Sequence, residues 1–331
     1  MYKNPFVCKK CKQKVFYTQN KKNGDFIMNL RTDLAVESIY THSGDGIEEK
    51  NEKVNDVNIT TIHIKTDDAS KEVGKPKGTY ITLESAFIFK NDPQKANEIS
   101  KELSEQIKKL IKEVVPDFCE NTNILVCGLG NRNITADALG PQCTKGVMVT
   151  NHVIEILNHK EKDFSKVSAI TPGVMGITGI ETNQIIKGVI DEYKPDLLIT
   201  VDALCAKSAK RMFGTIQLTN TGINPGSGVG NRRASISKET MGVPVISIGI
   251  PTVVDANSIV YDALTSFFKK NEVDDNYSKL TNKILENVES LFVSPKDIDE
   301  LIKRGAKIIA NGINLSLHKN IDFSFIESYI A

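Results

Sequence analysis

The sequence predicts an α/β protein of three layers, in which a mainly parallel sheet carries helices on both faces. Short, fully apolar runs such as residues 123–128 (NILVCG) and 243–250 (VPVISIGI) are typical of strands buried on both sides. These runs alternate with stretches of helical periodicity, as in doubly covered sheets. The chain of 331 residues, with 40% hydrophobic and 25% charged residues, can bury a full core.

The first third of the chain predicts two strands and a long helix. Residues 58–65 (NITTIHIK) and 78–85 (GTYITLES) alternate and contain β-branched residues, which indicates strands. The acidic stretch at residues 44–58 predicts a surface loop. Apolar residues then recur at helical spacing from 94 to 115, and Pro116 ends that predicted helix.

In the rest of the chain, predicted strands alternate with predicted helices. Predicted strands are residues 123–128, 167–171, 196–203 and 243–250, with a weaker one at 214–219. Predicted helices lie within residues 140–157 and over 181–193, a glycine loop occupies 172–179, and residues 258–318 are mostly helical. There is no internal repeat and no linker, so we expect one domain from residue 34 to residue 331.

Composition excludes several classes of protein. The net charge of +1 does not favour nucleic acid or an anionic membrane, and no run of eighteen apolar residues predicts a membrane span. The N-terminus lacks the apolar region of a secretory signal, and six cysteines in this length favour a reducing cytoplasm. Residues 1–33 carry a net charge of +6 and the remainder −5, which predicts a removable or peripheral arm.

Three acids follow predicted strands, where the crevice of an open α/β sheet lies: Asp137, Asp202 and Asp255. Two aspartates in one cleft do not both ionise easily, so one can hold a proton while the other polarises a water molecule. Such a pair is a general acid and base for amide hydrolysis. The alternative from spacing alone is that each aspartate caps a helix or holds a turn.

The loop GLGNRNITADALGP, residues 128–141, begins like a nucleotide-binding turn. Gly128 and Gly130 allow a sharp turn, but Asn133 stands where a dinucleotide fingerprint has its third glycine. The second glycine loop, NPGSGVGNRR, lacks the Lys-Ser/Thr of a phosphate loop. A nucleotide-binding protein is therefore the weaker interpretation, and we expect the loop to use its N–H groups on itself and to aim Asp137 toward Asp202.

Several long motifs together resemble the germination protease family of spore-forming bacteria. They are GLGNRNITADALGP, TPGVMGITGIET, VDALCAKSAKRMFGTIQLTNTGINPGSGVGNRRASIS, GIPTVVDA, RTDLAVE and GKPKGTYITLES, and the likeness extends to DIDELIKRGAKIIANGINLSLH. The resemblance implies an atypical aspartic endopeptidase whose fold is similar to that of hydrogenase-maturation endopeptidases. The positions that match its two essential aspartates are Asp137 and Asp202, and we expect Asp255 to have a structural role.

The resemblance also implies partners and a location. The substrates would be small acid-soluble proteins that coat DNA in the dormant spore, the enzyme a homotetramer in the spore interior, with no direct contact to nucleic acid or membrane. We expect no cofactor and no metal, because the five histidines (His42, His63, His152, His159 and His318) lie outside the strand-end motifs. Two alternatives stay open: a metal-dependent maturation-type endopeptidase, and a non-catalytic scaffold that binds spore proteins.

The same resemblance implies a zymogen that trims its own N-terminus. Family substrates are cut after an acid that precedes an apolar residue, Ala and a nearby Glu, and RTDLAVE matches this with Asp33, Leu34, Ala35 and Glu37. We therefore expect self-cleavage between Asp33 and Leu34, which releases the basic arm. The alternative is that this stretch is only the N-cap and first turn of a helix.

Basic residues near the predicted crevice are candidates for reading acidic substrates. Lys207, Lys210 and Arg211 follow Asp202, and Arg232 and Arg233 end the second glycine loop. Arginine can pair two N–H groups with one carboxylate. Of these residues we name Lys207, Arg211, Arg232 and Arg233 as substrate-binding candidates. A solvated basic loop is the alternative for each.

Two cysteine patterns carry weaker hypotheses. Cys8 and Cys11 form half of a zinc-ribbon pattern that no second half completes, so a chance pair is favoured over metal binding. Cys205 follows Asp202, and His152 lies on a nearby predicted helix, so a catalytic Cys–His pair with a cysteine nucleophile is a second hypothesis. A small buried thiol is the commoner situation for such a cysteine.

Overall fold

A computed structural model describes residues 32–39, 45–156, 163–226, 228, 233–270 and 291–330, with single positions at 281, 284, 285 and 288. These residues contain a sheet of nine strands, in the order β1-β2-β3-β7-β8-β6-β4-β5, with β9 paired to β8. The strands are β1 (Ile47–Val54), β2 (Val57–Ile64), β3 (Gly78–Glu84), β4 (Asn123–Gly128), β5 (Lys166–Ile170), β6 (Leu197–Ala206), β7 (Thr215–Thr219), β8 (Val245–Asp255) and β9 (Phe292–Val293).

Helices occupy the connections between the strands and both ends of the described chain. They are α1 (Ala35–Ser38), α2 (Asp67–Val73), α3 (Pro93–Val114), α4 (Leu139–Thr144), α5 (Asn151–Ile156), α6 (Met175–Thr178), α7 (Thr182–Tyr193), α8 (Lys238–Met241), α9 (Ala256–Lys270), α10 (Ile298–Leu317) and α11 (Phe323–Ile330). Two 3₁₀ turns, Thr135–Asp137 and Ala209–Arg211, follow β4 and β6. Among the described residues, no helix is long and apolar enough to cross a membrane.

The sheet is covered on both faces, as predicted. In β4, Ile124 and Val126 pack into the largest core cluster, together with residues of α3 and α10. The intervening Leu125 and Cys127 pack into a second cluster with α7 and α8. Because successive side chains of a strand point to opposite faces, these clusters mark the two covered sides of the sheet.

The prediction of a mainly parallel sheet is wrong for half of the molecule. The pairs β4–β5, β4–β6 and β6–β8 are parallel, but β1–β2, β2–β3, β3–β7, β7–β8 and β8–β9 are antiparallel. The parallel pairing that was predicted is confined to β4, β5, β6 and β8, whereas β7 and β9, which also follow β4 in the chain, are antiparallel to their neighbours. In the antiparallel half, short connections such as residues 55–56 replace the crossover helices that parallel neighbours need.

Two local predictions also need correction. The surface loop expected over residues 44–58 contains β1, an edge strand whose charged residues face solvent; edge strands often carry such charges. The helix expected within residues 140–157 is divided into α4 and α5. The Asn314 side chain of α10 separates them, because it accepts from the Met148 N–H (2.9 Å) and donates to the Gly146 carbonyl (2.8 Å).

Residues 32–39, hereafter the docked segment, pack on the face of the sheet opposite α3 and α10. Its apolar side chains are buried, and Leu34 has no exposed surface. They share a third core cluster with residues of β2, β3, β6 and α2, among them Ile62, Tyr80 and Leu204. The start of the described chain is therefore part of the core at the carboxyl end of β6.

Candidate active site

Close contacts of glycine backbone bring the end of β4 against β6. A side chain on Gly128 would lie 2.3 Å from the Gly140 carbonyl, and one on Gly140 would lie 2.4 Å from the Val201 carbonyl. The Leu129 N–H donates to that same Val201 carbonyl (2.8 Å). Only glycine permits this approach, which places the start of α4 directly beside the strand that carries Asp202.

Asp137 ends the 3₁₀ turn in this loop. Its Oδ2 accepts from the Asn131 N–H (2.8 Å), and its own N–H donates to the Ile134 carbonyl (2.9 Å). Gly130 has φ +106°, and a side chain there would collide with the Asp137 carbonyl, so this glycine lets the loop close on Asp137. Burial raises the pKa of Asp137, and the Asn131 N–H partly offsets that rise.

Asp202 lies within β6 and is 5% exposed. Its Oδ1 accepts from the Ala203 N–H (2.9 Å). Burial raises the pKa of Asp202 well above its ordinary value, the nearby Asp137 carboxylate raises it further, and Asp33 adds a smaller effect. The two aspartates predicted from sequence therefore lie within electrostatic reach of one another.

This arrangement can support acid and base chemistry. Burial raises the pKa of both carboxyl groups, and it raises that of the buried Asp202 more strongly than that of the half-buried Asp137. Each carboxylate also accepts one backbone N–H bond, which partly offsets the rise. Pairs of carboxyl groups whose environments separate their protonation in this way can divide the roles of proton donor and water-activating base. The pair should titrate as a unit.

Several N–H groups of the glycine loop at residues 128–141 bond within the loop and are not left for a phosphate. The Asn133 N–H donates to the Asn131 side chain (2.9 Å), and the Ile134 N–H donates to the Asn131 carbonyl (3.1 Å). The Asn131 N–H donates to Asp137, so three of the four N–H groups from residue 131 to residue 134 are used within the loop. The expectation that the N–H groups of this loop bond to acceptors within the loop is confirmed at these residues.

Asp255 is placed where a structural role is expected. It ends β8, and its Oδ1 accepts from the N–H of Asn257 (2.9 Å) and from that residue's side chain (3.1 Å) in the first turn of α9. A carboxylate at this position satisfies an otherwise unpaired helix N–H.

The docked segment lies across β6, β8 and β7 beside Asp202. The Asp33 N–H donates to the Cys205 carbonyl (2.9 Å), and the Cys205 N–H donates to the Asp33 carboxylate (2.9 Å). The Gln217 side chain on β7 donates to the Asp33 carbonyl (3.0 Å) and accepts from the Ala35 N–H (2.6 Å). Asp33 is thus held between two strands on either side of β8.

Glu37, the second acid of the docked segment, is held by the loop after β6. Its carboxylate accepts from the N–H groups of Lys207 (2.7 Å) and Ser208 (2.9 Å) and lies 3.5 Å from the Arg211 Nε. Thr32 also donates to it, while the Leu34 N–H donates to the Thr32 hydroxyl (3.0 Å). The helical turn predicted as the alternative for this stretch is present as α1, but its N-cap residue is Leu34, which makes no side-chain capping bond. The segment is both helical and docked.

The basic residues named from sequence differ in what they contact. Arg211 faces Glu37 and also pairs with Glu84 of β3. Lys207 contributes its backbone N–H rather than its ammonium. Arg233 pairs with Glu181 before α7 (3.0 Å), and Arg232 lies outside the described residues.

The cysteine hypotheses gain little from the structure. Cys205 is buried, its thiol donates to the Ala206 carbonyl (3.6 Å), and burial together with Asp33 raises its pKa to about 12, which disfavours a thiolate. His152 is exposed on α5. Cys8 and Cys11 lie outside the described residues. Within the described part of the chain, no three His, Cys, Asp or Glu side chains gather as a metal site.

Two contacts of the docked segment were not expected from sequence. Lys75 donates to the carbonyls of Asp33 (2.9 Å) and Thr32 (3.2 Å). The Gln217 side chain donates to the Asp33 carbonyl and accepts from the Ala35 N–H, on either side of Leu34. Lys75 lies in the quoted motif GKPKGTYITLES, but a lysine between glycine and proline looks like an ordinary turn residue. Nothing in TIQLT distinguishes Gln217 from a polar residue on a half-buried strand.

Comparison with known proteins agrees with the resemblance read from the motifs. A model of the germination protease family matches residues 28–275. The chain belongs to the germination protease family. Among members of that family, it is 40% identical to the germination protease of Caldanaerobacter subterraneus subsp. tengcongensis over 89% of this chain and 96% of the relative. The germination proteases of Clostridium acetobutylicum (39%, over 91% and 99%) and Bacillus subtilis (36%, over 88% and 94%) match at similar length.

Membership in the germination protease family makes the chain a peptidase, and so a hydrolase. The matched range includes the docked segment, all three glycine-rich loops, Asp137 and the strand that carries Asp202.

Proposed function

We propose that this germination protease is an atypical aspartic endopeptidase that begins the degradation of small acid-soluble spore proteins during germination. Water held between Asp137 and Asp202 attacks a peptide carbonyl, and the protonated carboxyl group gives its proton to the departing amine. The observation that carries the proposal is the burial of Asp202 close to Asp137, an arrangement that raises the pKa of Asp202.

The enzyme is made as a zymogen and cuts its own chain between Asp33 and Leu34. The position of the docked segment supports this, because Asp33 lies near enough to Asp202 to influence its pKa. Glu37, three residues after Leu34, is held by two backbone N–H groups and by Arg211. These contacts would also recognise spore proteins that carry the same acid, apolar residue, Ala and Glu pattern.

The protein acts in the spore interior as a homotetramer and needs no cofactor. These statements, like the relation in fold to hydrogenase-maturation endopeptidases, rest on the resemblance of the motifs. Arg233 and Arg232 stay candidates for contacts with parts of the substrate beyond the docked segment.

The experiment is cleavage of a small acid-soluble spore protein by the processed chain. D137N and D202N chains are processed by tagged wild-type enzyme and repurified. We expect each substitution to lower kcat by at least about 10³-fold, because each removes one partner of the acid and base pair. The matched control is D255N, which alters the third strand-end acid and should keep kcat within about threefold. Retention of activity in D137N or D202N would refute the aspartic mechanism.

A further inference from the structure

The carbonyl group of Asp33 is held by two side chains that the mechanism above does not use. The Lys75 ammonium and the Gln217 amide both donate to this oxygen, at 2.9 and 3.0 Å. Two donors on one carbonyl are the arrangement that stabilises the negative oxygen of a tetrahedral intermediate. If the bond between Asp33 and Leu34 is cut, this oxygen is the one on which charge develops.

The backbone that carries Lys75 and the side chain of Gln217 are both held by their surroundings. Gly74, with φ +71°, ends α2, and the Ser70 hydroxyl donates to the Lys75 carbonyl (2.7 Å). The next residue is held as well, since the Tyr80 hydroxyl donates to the Pro76 carbonyl (2.8 Å). Gln217 is 6% exposed in the middle of β7. Donors held in place before the reaction need no reorganisation when charge appears.

Gln217 and Asp202 also lie in one row of the sheet. Asp202 pairs with Gly249 of β8, and Gly249 pairs with Gln217. Paired residues of neighbouring strands point to the same face, so the two side chains stand about 10 Å apart, two strand spacings, on the face that holds the docked segment. A peptide lying over β8 therefore meets the carboxyl pair on one side and the amide on the other.

The environment of Lys75 suits an electrostatic role. Part of the side chain is exposed, but its ammonium end is enclosed, and burial lowers the pKa of Lys75 while Asp33 and Glu37 raise it. A cation with few neighbouring waters interacts strongly with a developing oxyanion. Lys77, two residues later, is a contrast, because it is exposed and pairs with Asp67 of α2.

We propose that Lys75 and Gln217 form the oxyanion site of this peptidase, where they stabilise the tetrahedral intermediate at the residue before the scissile bond. The proposal rests on the proposed self-cleavage. Water oxygen bonds to the Asp33 carbonyl carbon as its proton passes to the ionised aspartate. The carbonyl π pair moves onto oxygen between Lys75 and Gln217. When the C–N bond breaks, that pair returns and the protonated aspartate supplies the proton to the Leu34 nitrogen.

The test is the first-order rate of self-cleavage in the full chain, followed by intact mass. K75M should slow it by about 10²- to 10³-fold, and K77M, the matched control, should keep the wild-type rate. To separate this from loss of docking, amide exchange of residues 34–37 is measured in the D202N background with and without K75M. We expect protection to change by less than about threefold.

Three outcomes would overturn the oxyanion site: K75M cleaving at the wild-type rate, K77M slowing as much as K75M, or protection falling in proportion to the rate. If K75M does not fold, Q217M is subjected to the same two measurements and the same criteria. A failure of the proposed function would be seen in a different variant. Cleavage by D202N at the wild-type rate would contradict the aspartate pair, whereas the effect of K75M on the rate tests the oxyanion site independently.

Discussion

The two faces of the central sheet are closed in different ways. The face under α3 and α10 is sealed by apolar side chains such as Leu103, Val126 and Ile309. The opposite face over β6, β8 and β7 buries polar residues, among them Asp202, Gln217, Thr219 and Ser247, and the docked segment covers part of it. Burial of polar groups costs stability unless they have partners, so the polar side chains of the sheet on the second face are the ones for which a role in the proposed chemistry is expected.

The largest effect on stability should come from the apolar face. Leu103 has no exposed surface and lies against Gly312 of α10. L103A should lower the free energy of unfolding by about 2–5 kcal/mol, because it leaves a cavity between two helices and the sheet. Urea denaturation measures the loss. Self-cleavage at a temperature where L103A stays folded should keep its wild-type rate.

L34A makes the corresponding change on the other face. Leu34 is equally buried, but it lies in a short segment at the start of the described chain, and we expect this segment to undock before the rest of the fold opens. We expect L34A to lower the free energy of unfolding by less than about 1 kcal/mol and to slow self-cleavage about tenfold, since part of the burial that docks the segment is lost. If L34A destabilises the fold as much as L103A does, the two faces are not distinct.

A comparable effect on cleavage, with no large loss of stability, is expected from a change in the carboxylate that anchors the segment. E37Q keeps the shape of Glu37 but removes the charge that two backbone N–H groups and Arg211 hold. Self-cleavage should be about tenfold slower, because hydrogen bonds to a charged group contribute about 1.5–3 kcal/mol. E181Q, which alters the half-buried partner of Arg233, is the matched control and should stay within about threefold. Equal rates for E37Q and wild type would remove Glu37 from recognition.

The smallest effect is a pH-dependent gain in stability from D202N. The pKa of Asp202 is raised in the folded chain, so the folded state binds a proton that the unfolded state has released. The stability of the wild type therefore falls as pH rises from about 4 through the raised pKa. D202N lacks this loss, and its Tm should exceed that of the wild type by at least about 2 °C at pH 7. The difference should vanish below about pH 4; a lower Tm at pH 7 would mean that the Asp202 carboxylate stabilises the fold.

The sequence could predict elements whose signal is local. The apolar run at residues 123–128 is β4, and the helical spacing over 94–115 is α3. The mixed character of the sheet could not be read in this way, because pairing between β3 and β7 joins residues more than 130 positions apart. A local stretch of sequence does not show which distant strand is its neighbour in the sheet. The alternation of strands and helices therefore predicts parallel pairing for strands that are antiparallel.

The residues of the candidate site can likewise be divided into those that the sequence predicts and those that it does not. Asp137 and Asp202 could be named because strand ends of a parallel sheet meet at one edge and the motifs resemble a known family. Lys75 and Gln217 could not, since their proximity depends on the antiparallel half and on where residues 32–39 pack. The sequence identifies Glu37 as part of a cleavage pattern. It does not identify the two backbone N–H groups that bind the Glu37 carboxylate, because every residue other than proline has such a group.

The central claim is that the polar face cuts the segment it holds, and the mass of the intact chain after incubation tests it most directly. Wild-type protein of 331 residues should yield two products, residues 1–33 and 34–331, while D202N stays whole under the same conditions. Wild-type products that begin at any residue other than Leu34, or a D202N chain cut at the same place and rate, would contradict the account.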